Sequence, residues 1–209
     1  MKRIVLTTLL GLGIMTAAHS QRIKLGITGG ASSTRLAGPR ATSAPVPMWR
    51  LGVRGGAVAQ VLLSSSGRLA VQTEVLYSGQ GWRLDDGNGT VARQRLHYLQ
   101  VPVLAQVKLA TAIWLEAGPE VSYLLGSRTT TGPGGLLGTP WPIATDAVAF
   151  RRREVGYALG AGYQCSEHLR LGLRFTGGLT PVIKAAASGK MTAKKNRVMS
   201  LQATYLLGQ

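Results

Sequence analysis

One cysteine, Cys165, is present in 209 residues. A single thiol excludes an intramolecular disulfide framework and any cysteine-based zinc site, and Cys165 reads as an unreactive thiol at a strand end. Acidic residues are scarce: eight Asp and Glu stand against 24 Lys and Arg, giving a formal net charge of +16. Long apolar runs are missing as well. Ile4 to Met15 is too short to span about 30 Å of hydrocarbon comfortably, and no second run follows, which excludes a helical membrane protein. There is no Gly-rich phosphate loop, metal-ligand spacing or cofactor fingerprint, so neither a cofactor nor a metal is expected. Glycine is plentiful at 28 residues but scattered, without a collagen period or a linker tract.

The start of the chain explains its one apolar run. Lys2 and Arg3 precede it, and Ala18-His19-Ser20 places small residues where a signal peptidase reads. This pattern predicts a signal peptide over residues 1–20, cut after Ser20, and the length of the rest fits one domain over 21–209. No cysteine follows the cut, so a lipoprotein anchor is not indicated. Without Lys2 and Arg3 the net charge is still +14. An exported chain rarely meets nucleic acid, and no recognition helix or stacking platform accompanies the charge. Anionic lipid head groups are the expected partners.

The clearest structural signal lies between Glu154 and Thr176. Val155, Tyr157, Leu159, Ala161 and Tyr163 alternate with Glu154, Gly156, Ala158, Gly160, Gly162 and Gln164. After Cys165-Ser166-Glu167, Leu169, Leu171, Leu173 and Phe175 alternate with Arg170, Gly172, Arg174 and Thr176. Period-2 alternation assigns the two sets to opposite faces of a hairpin. Glycine and arginine do not build an apolar core. Large apolar residues turned toward lipid, with small and charged ones turned toward a narrow lumen, satisfy the pattern. A soluble lipocalin-type barrel is the rival, but it would have to turn the glycine- and charge-bearing face to water.

The same rule recurs along the chain. It predicts strands over Arg22–Gly30, Met48–Leu63, Arg68–Gln80, Arg93–Leu109, from Ile113 to Leu125, and over Asn196–Leu207, which with the hairpin makes eight. Pro102 in the fourth is tolerable at a bulge or an irregular ladder position. Connections alternate between long and short, as in barrels with short periplasmic turns and long outer loops. The expected fold is therefore all-β: an eight-stranded antiparallel up-and-down transmembrane β-barrel.

Charges gather on the face assigned to the lumen. Arg54, Glu74, Glu116, Glu120, Arg170 and Arg174 are the candidate members of an internal ion network, together with Lys24, Arg50, Lys108 and Glu154. These groups either pair structurally or line a polar conduit. An eight-stranded barrel has an interior just wide enough for side chains, which favours pairing. Arg151, Arg152, Arg153, Lys194, Lys195 and Arg197, with Lys190, fall at outer strand ends; they are candidates for lipopolysaccharide phosphate contacts or for a solvated basic rim. Trp49, Trp82, Tyr77, Tyr98 and Tyr205 are expected in an aromatic girdle. His97, with Asp85 and Asp86 in the preceding loop, imitates an acid–base pair but lacks a nucleophile motif, so no catalytic residue is assigned.

Four segments in order resemble a known family. They are Glu74-Val75-Leu76-Tyr77-Ser78-Gly79-Gln80-Gly81, Leu96-His97-Tyr98-Leu99-Gln100-Val101-Pro102-Val103, Ala117-Gly118-Pro119-Glu120-Val121-Ser122-Tyr123-Leu124-Leu125 and Gly160-Ala161-Gly162-Tyr163. The chain resembles the PorT-like small outer-membrane β-barrel proteins of Bacteroidota over essentially its whole mature length. The resemblance implies a bacterial outer-membrane location and no catalytic motif. One namesake is linked to a protein-secretion system, while most members have no assigned activity. The end departs from the family habit of a final aromatic residue, since the chain closes Tyr205-Leu206-Leu207-Gly208-Gln209.

The expected function is structural or interaction-based, in envelope integrity, adhesion or as a secretion accessory. A narrow solute channel is the alternative and an outer-membrane enzyme the third. Lipid, lipopolysaccharide and other envelope or secretion proteins are the expected partners, and nucleic acid is not. The topology is directly testable. Epitope tags inserted near Ala41, Gly87, Gly134 or Ser188 will be labelled on intact cells, and tags at Ser66, Ala110 or Ser166 will not; surface labelling at Ser66 would reverse the orientation.

Overall fold

A computed structural model describes residues 23–38, 46–64, 66–85, 90–131, 150–182 and 194–207. The expected signal peptide and the four outer tag sites lie outside the described residues. Nine strand segments are present among them: β1 (Ile23–Ala37), β2 (Val46–Met48), β3 (Arg50–Leu62), β4 (Leu69–Asp85), β5 (Thr90–Lys108), β6 (Ile113–Thr131), β7 (Arg153–Gln164), β8 (Leu169–Gly178) and β9 (Lys195–Leu206). Trp49 alone separates β2 from β3, so together they act as one staggered strand. Every neighbouring pair is antiparallel, β1 pairs with β9, and β4 with β5 completes the circle. The result is a closed eight-stranded barrel. Closure leaves no sheet edge, which a spanning structure requires because hydrocarbon offers no partner to an exposed peptide group.

The alternation read from sequence holds around the wall. Ile23, Leu25, Leu51, Val53, Leu159, Leu173 and Leu201 project outward and are exposed, while Gln60, Gln72, Glu74, Glu120, Arg174 and Gln202 project inward and are buried. The protein thus inverts a soluble barrel, and the lipocalin alternative is set aside. The turns between β3 and β4, β5 and β6, and β7 and β8 lie at one end, closed by bonds such as Leu63 N–Leu69 O at 2.9 Å and Cys165 N–Leu169 O at 2.9 Å. The other connections lie at the opposite end; three of them are longer, but β4 and β5 are joined by only residues 86–89, so the expected long loop between Trp82 and Ala92 is mostly strand.

Strands run further toward the long-connection end than the alternation predicts. β1 continues to Ala37, with Thr34 opposite both Arg50 and Val198 and Arg35 opposite Arg197. The β4–β5 hairpin reaches Asp85↔Thr90. Composition misleads here: Gly29-Gly30 and Ser32-Ser33 look like the start of a loop, yet ladder pairing on both sides holds them extended.

The β4–β5 ladder skips Glu74 and Val75 opposite Pro102 and Val101, and the β5–β6 ladder skips Val103 and Leu104 and shifts register at His97/Tyr98, but the widest break lies beside β3. β3 pairs with β4 only as far as Arg54↔Ser78, and pairing on that side resumes at Met48↔Arg83 through β2. Between these points the Arg50 Nη1 donates to the Gln80 carbonyl oxygen at 3.0 Å, a side chain bridging where ladder bonds stop. Gly81 in the same stretch has φ +145°, and a Cβ there would collide with the Gln94 carbonyl oxygen.

The inside-out arrangement predicts asymmetric mutational effects. Leu173 is 63% exposed on the lipid face, whereas Gln202 is 3% exposed in the lumen. Leu173→Arg will lower stability by about 2–4 kcal/mol, the range for arginine near the midplane of a barrel. Gln202→Leu will cost less. Equilibrium urea unfolding in lipid vesicles measures both, and equal losses would contradict the assigned faces.

Candidate functional site: the barrel lumen

The lumen is stratified, and each layer follows from which residues occupy inward positions. At the long-connection end Leu36, Trp82, Leu96, Tyr98 and Val182 form a buried apolar cluster, with Leu124 and Phe150 packed against it. Trp82 meets Phe150 edge-on at 6.1 Å between ring centroids. This corrects the sequence expectation for two girdle residues. Trp82 and Tyr98 occupy inward positions at the long-connection end, whereas Trp49, Tyr77 and Tyr205 do project outward. Below the cluster, the Tyr98 hydroxyl donates to Glu154 Oε1, and Asn196 Nδ2 donates to Oε2 at 3.3 Å.

The middle layer centres on Arg174. Its Nη1 and Nη2 reach Glu74 Oε2 and Oε1 at 2.6 and 2.8 Å, and its Nε reaches Glu116 Oε1 at 2.6 Å. One planar guanidinium from β8 therefore ties together carboxylates from β4 and β6, bidentate on one side. Gly160 on β7 makes room for this: a Cβ there would lie 2.5 Å from Glu116 Oε1. Gln72 Nε2 donates to Glu74 Oε1 at 2.6 Å.

A directional chain of hydrogen bonds leads away from that centre. Arg170 Nη2 donates to Gln60 Oε1 at 3.2 Å, Gln60 Nε2 to Gln106 Oε1 at 2.5 Å, and Gln106 Nε2 to Glu116 Oε2 at 3.1 Å. Each amide accepts from the cationic side and donates toward the carboxylate, so the dipoles reinforce one another. The glutamines were visible in sequence as inward residues. Their role in relaying charge across β8, β3, β5 and β6 was not, because it depends on barrel closure.

Arg54, Glu120 and Arg170 are also buried or half-buried, but they do not join the ion pairs directly. Arg54 Nη1 donates to Ser200 Oγ at 3.1 Å. Its Nε and Nη2, like Glu120 Oε2, have no hydrogen-bond partner among the described residues. Glu120 Oε1 accepts from Gln100 Nε2 at 2.5 Å and from Ser122 Oγ at 3.3 Å. Arg170 Nε donates to Gln164 Oε1 at 2.6 Å, and its guanidinium lies 5.8 Å from the Trp114 ring centroid. Lys24 and Lys108 sit at the short-turn mouth.

On the outside, Arg151, Arg152, Arg153 and Arg197 are exposed at the long-connection end, with Lys194 and Lys195 half-buried beside them. Lys190 lies outside the described residues. Sequence reading missed Arg35, which sits opposite Arg197 and stacks its guanidinium 4.7 Å from the Trp49 ring centroid. The outward His97 accepts or donates a 2.5 Å hydrogen bond between Nδ1 and the Tyr77 hydroxyl, and the two rings stack at 5.8 Å. The register places His97 opposite Gly79 and Asp85 opposite Thr90. That separates His97 and Asp85 by roughly 20 Å along the strand, so they do not form an acid–base pair. Among the described residues no cluster of His, Cys, Asp and Glu could hold a metal ion.

Removing the central arginine isolates two buried carboxylates. Arg174→Met will therefore destabilise the barrel by about 3–5 kcal/mol, as expected when one partner of a buried ion cluster is lost. Adding Glu74→Gln and Glu116→Gln will recover part of that loss. Urea midpoints of the single, double and triple variants give the coupling, and strict additivity would contradict a shared cluster.

The comparisons agree with this architecture. No curated protein matches the chain. Neisserial surface protein A (NspA) matches in structure with a TM-score of 0.52 and 10% identity, over 87% of this chain and 96% of that one. The outer membrane protein OprG from Pseudomonas aeruginosa has a TM-score of 0.42 and 11% identity, over 90% and 96%. Ail of Yersinia pestis has a TM-score of 0.43 and 10% identity, over 88% and 98%. The family model for the outer membrane protein beta-barrel domain matches residues 17–184, and the chain belongs to that family.

Proposed function

We propose that this outer-membrane barrel has a structural or interaction role rather than a transport or catalytic one. The observation that carries the reading is the filled lumen. An apolar cluster occupies one end, and a hydrogen-bonded chain anchored by Arg174 with Glu74 and Glu116 crosses the middle. Arg170 heads that chain, and Arg54 and Glu120 fill the bore beside it, held by Ser200 and by Gln100 and Ser122. An eight-stranded wall leaves little space beyond these side chains, whereas water-filled channels are typical of 16–18-stranded porins.

In this reading residues 1–20 are an export leader, the short turns face the periplasm, and the barrel resembles the PorT-like group. The basic rim of Arg151, Arg152, Arg153, Lys194, Lys195 and Arg197, extended by Arg35, meets lipopolysaccharide phosphates. Guanidinium groups suit such oxyanions because they bind them in bidentate fashion. Envelope integrity, adhesion and secretion-accessory roles all use a rigid wall with exposed loops, and none requires an open pore. The narrow channel remains the competing function.

Planar-bilayer recording separates the two. Purified wild-type protein will give no discrete conductance steps, and Arg170→Ala with Arg174→Ala will lower stability before it opens a pore. Reproducible single-channel steps from the wild-type monomer would transfer the assignment to a channel.

A further inference from the structure

The short-turn end of the lumen is hollow, whereas beside Glu120 and Glu154 only about 20 Å³ is free. At the short turns a cavity of about 440 Å³ opens. That volume falls within the range of roughly 300–1,000 Å³ typical of small-molecule sites. Lys24, Arg68, Lys108 and Arg170 line it, against the single carboxylate of Glu167. Its inner limit is the hydrogen-bonded chain beginning at Arg170 and Gln60, so the cavity is a blind vestibule and not the mouth of a passage.

The placement of these cations is informative. Lys24 and Arg170 follow the inward parity of the wall, being opposite Gln60 and Thr204 respectively. Cations needed only for solubility or for lipid head groups would project outward. Like charges converging in a partly enclosed space repel one another, and an anion relieves that repulsion. Arg170 is also held ready. Its Nε and Nη2 are fixed on Gln164 and Gln60, while Nη1 has no hydrogen-bond partner among the described residues. Trp114 contributes an apolar wall beside it. Gly162 accommodates the indole, since a Cβ there would come within 2.6 Å of Trp114 Cζ2.

We infer that this vestibule is a binding site for a small organic anion carrying two or more oxyanion groups, carboxylate or phosphate, seated between the cations and the face of Trp114. Under the orientation proposed above, which this inference uses only to name the compartment, the ligand enters from the periplasm. The barrel retains such a ligand without conducting it.

Citrate and pyrophosphate, titrated separately into the purified full-length barrel at low ionic strength, test the site and distinguish the two oxyanion chemistries. At least one will bind saturably, with a dissociation constant on the order of 1 mM or below. Binding will weaken as salt is added. It will change tryptophan fluorescence, and Trp114→Phe will abolish that change. Lys24→Gln with Lys108→Gln touches no member of the hydrogen-bonded chain and will weaken binding about tenfold. Arg95→Gln with Arg128→Gln, exposed and opposite each other on β5 and β6 toward the other end, will leave it unchanged. No saturable binding of either probe, or equal weakening by the two double variants, would overturn the site. Because the assay needs no membrane or pore, its failure would leave the plugged-barrel reading standing.

Discussion

Hydrocarbon cannot hydrogen-bond a peptide group, and this constraint shapes the whole molecule. It forces the first strand to meet the last, β1 against β9, so that no edge faces lipid. Closure at eight strands then fixes a narrow bore. Within that bore, alternation delivers glycines, glutamines, glutamates and arginines from every side. Pairing offsets the cost of burying such charges, and one arginine serving two carboxylates is the pairing found, while Arg54 and Glu120 are held by neutral side chains. The wall is thus the cause and the ion cluster the consequence.

The three layers of the lumen differ in how they exclude or admit water. The apolar cluster at the long-connection end excludes it by packing. The middle layer replaces it with side-chain amides and carboxylates in a fixed sequence of donors and acceptors. The short-turn vestibule has about 440 Å³ of room, against about 20 Å³ beside Glu120 and Glu154. Under the proposed structural role, filling at one end and hollowness at the other suit a receptacle or a strut. The basic outer rim lies on a separate surface, outside the wall.

Much of this was legible in the sequence because the alternation is strict. Leu169 to Phe175 or Met199 to Leu207 can be phased by eye, and their phase is the observed one. Legibility failed where phase alone carried the information. Tyr98 and Trp82 were assigned to a girdle from their chemistry, yet their parity with Gln100 and Gln80 puts them inside. Leu76, Leu96 and Leu104 are likewise inward and fully buried, so polarity is not a sufficient guide to the lumen side. The Arg174 cluster had its members visible but not its connectivity, since Glu74 and Arg174 are 100 residues apart and meet only across the bore. Arg35 was missed because serine and glycine before it resemble a loop.

The gap in the ladder between Arg54↔Ser78 and Met48↔Arg83 has a mechanical meaning. Shorter interruptions lie beside Pro102 and Pro119, but over most of the wall strain is shared among many parallel bonds. Here a guanidinium contact from Arg50 to Gln80 spans the interval, beside a glycine with a left-handed backbone. Local opening starts where the fewest backbone bonds must break. Lateral pressure from lipid, or traction on the connections at that end, will therefore be absorbed chiefly at this seam, the most compliant joint of the cylinder.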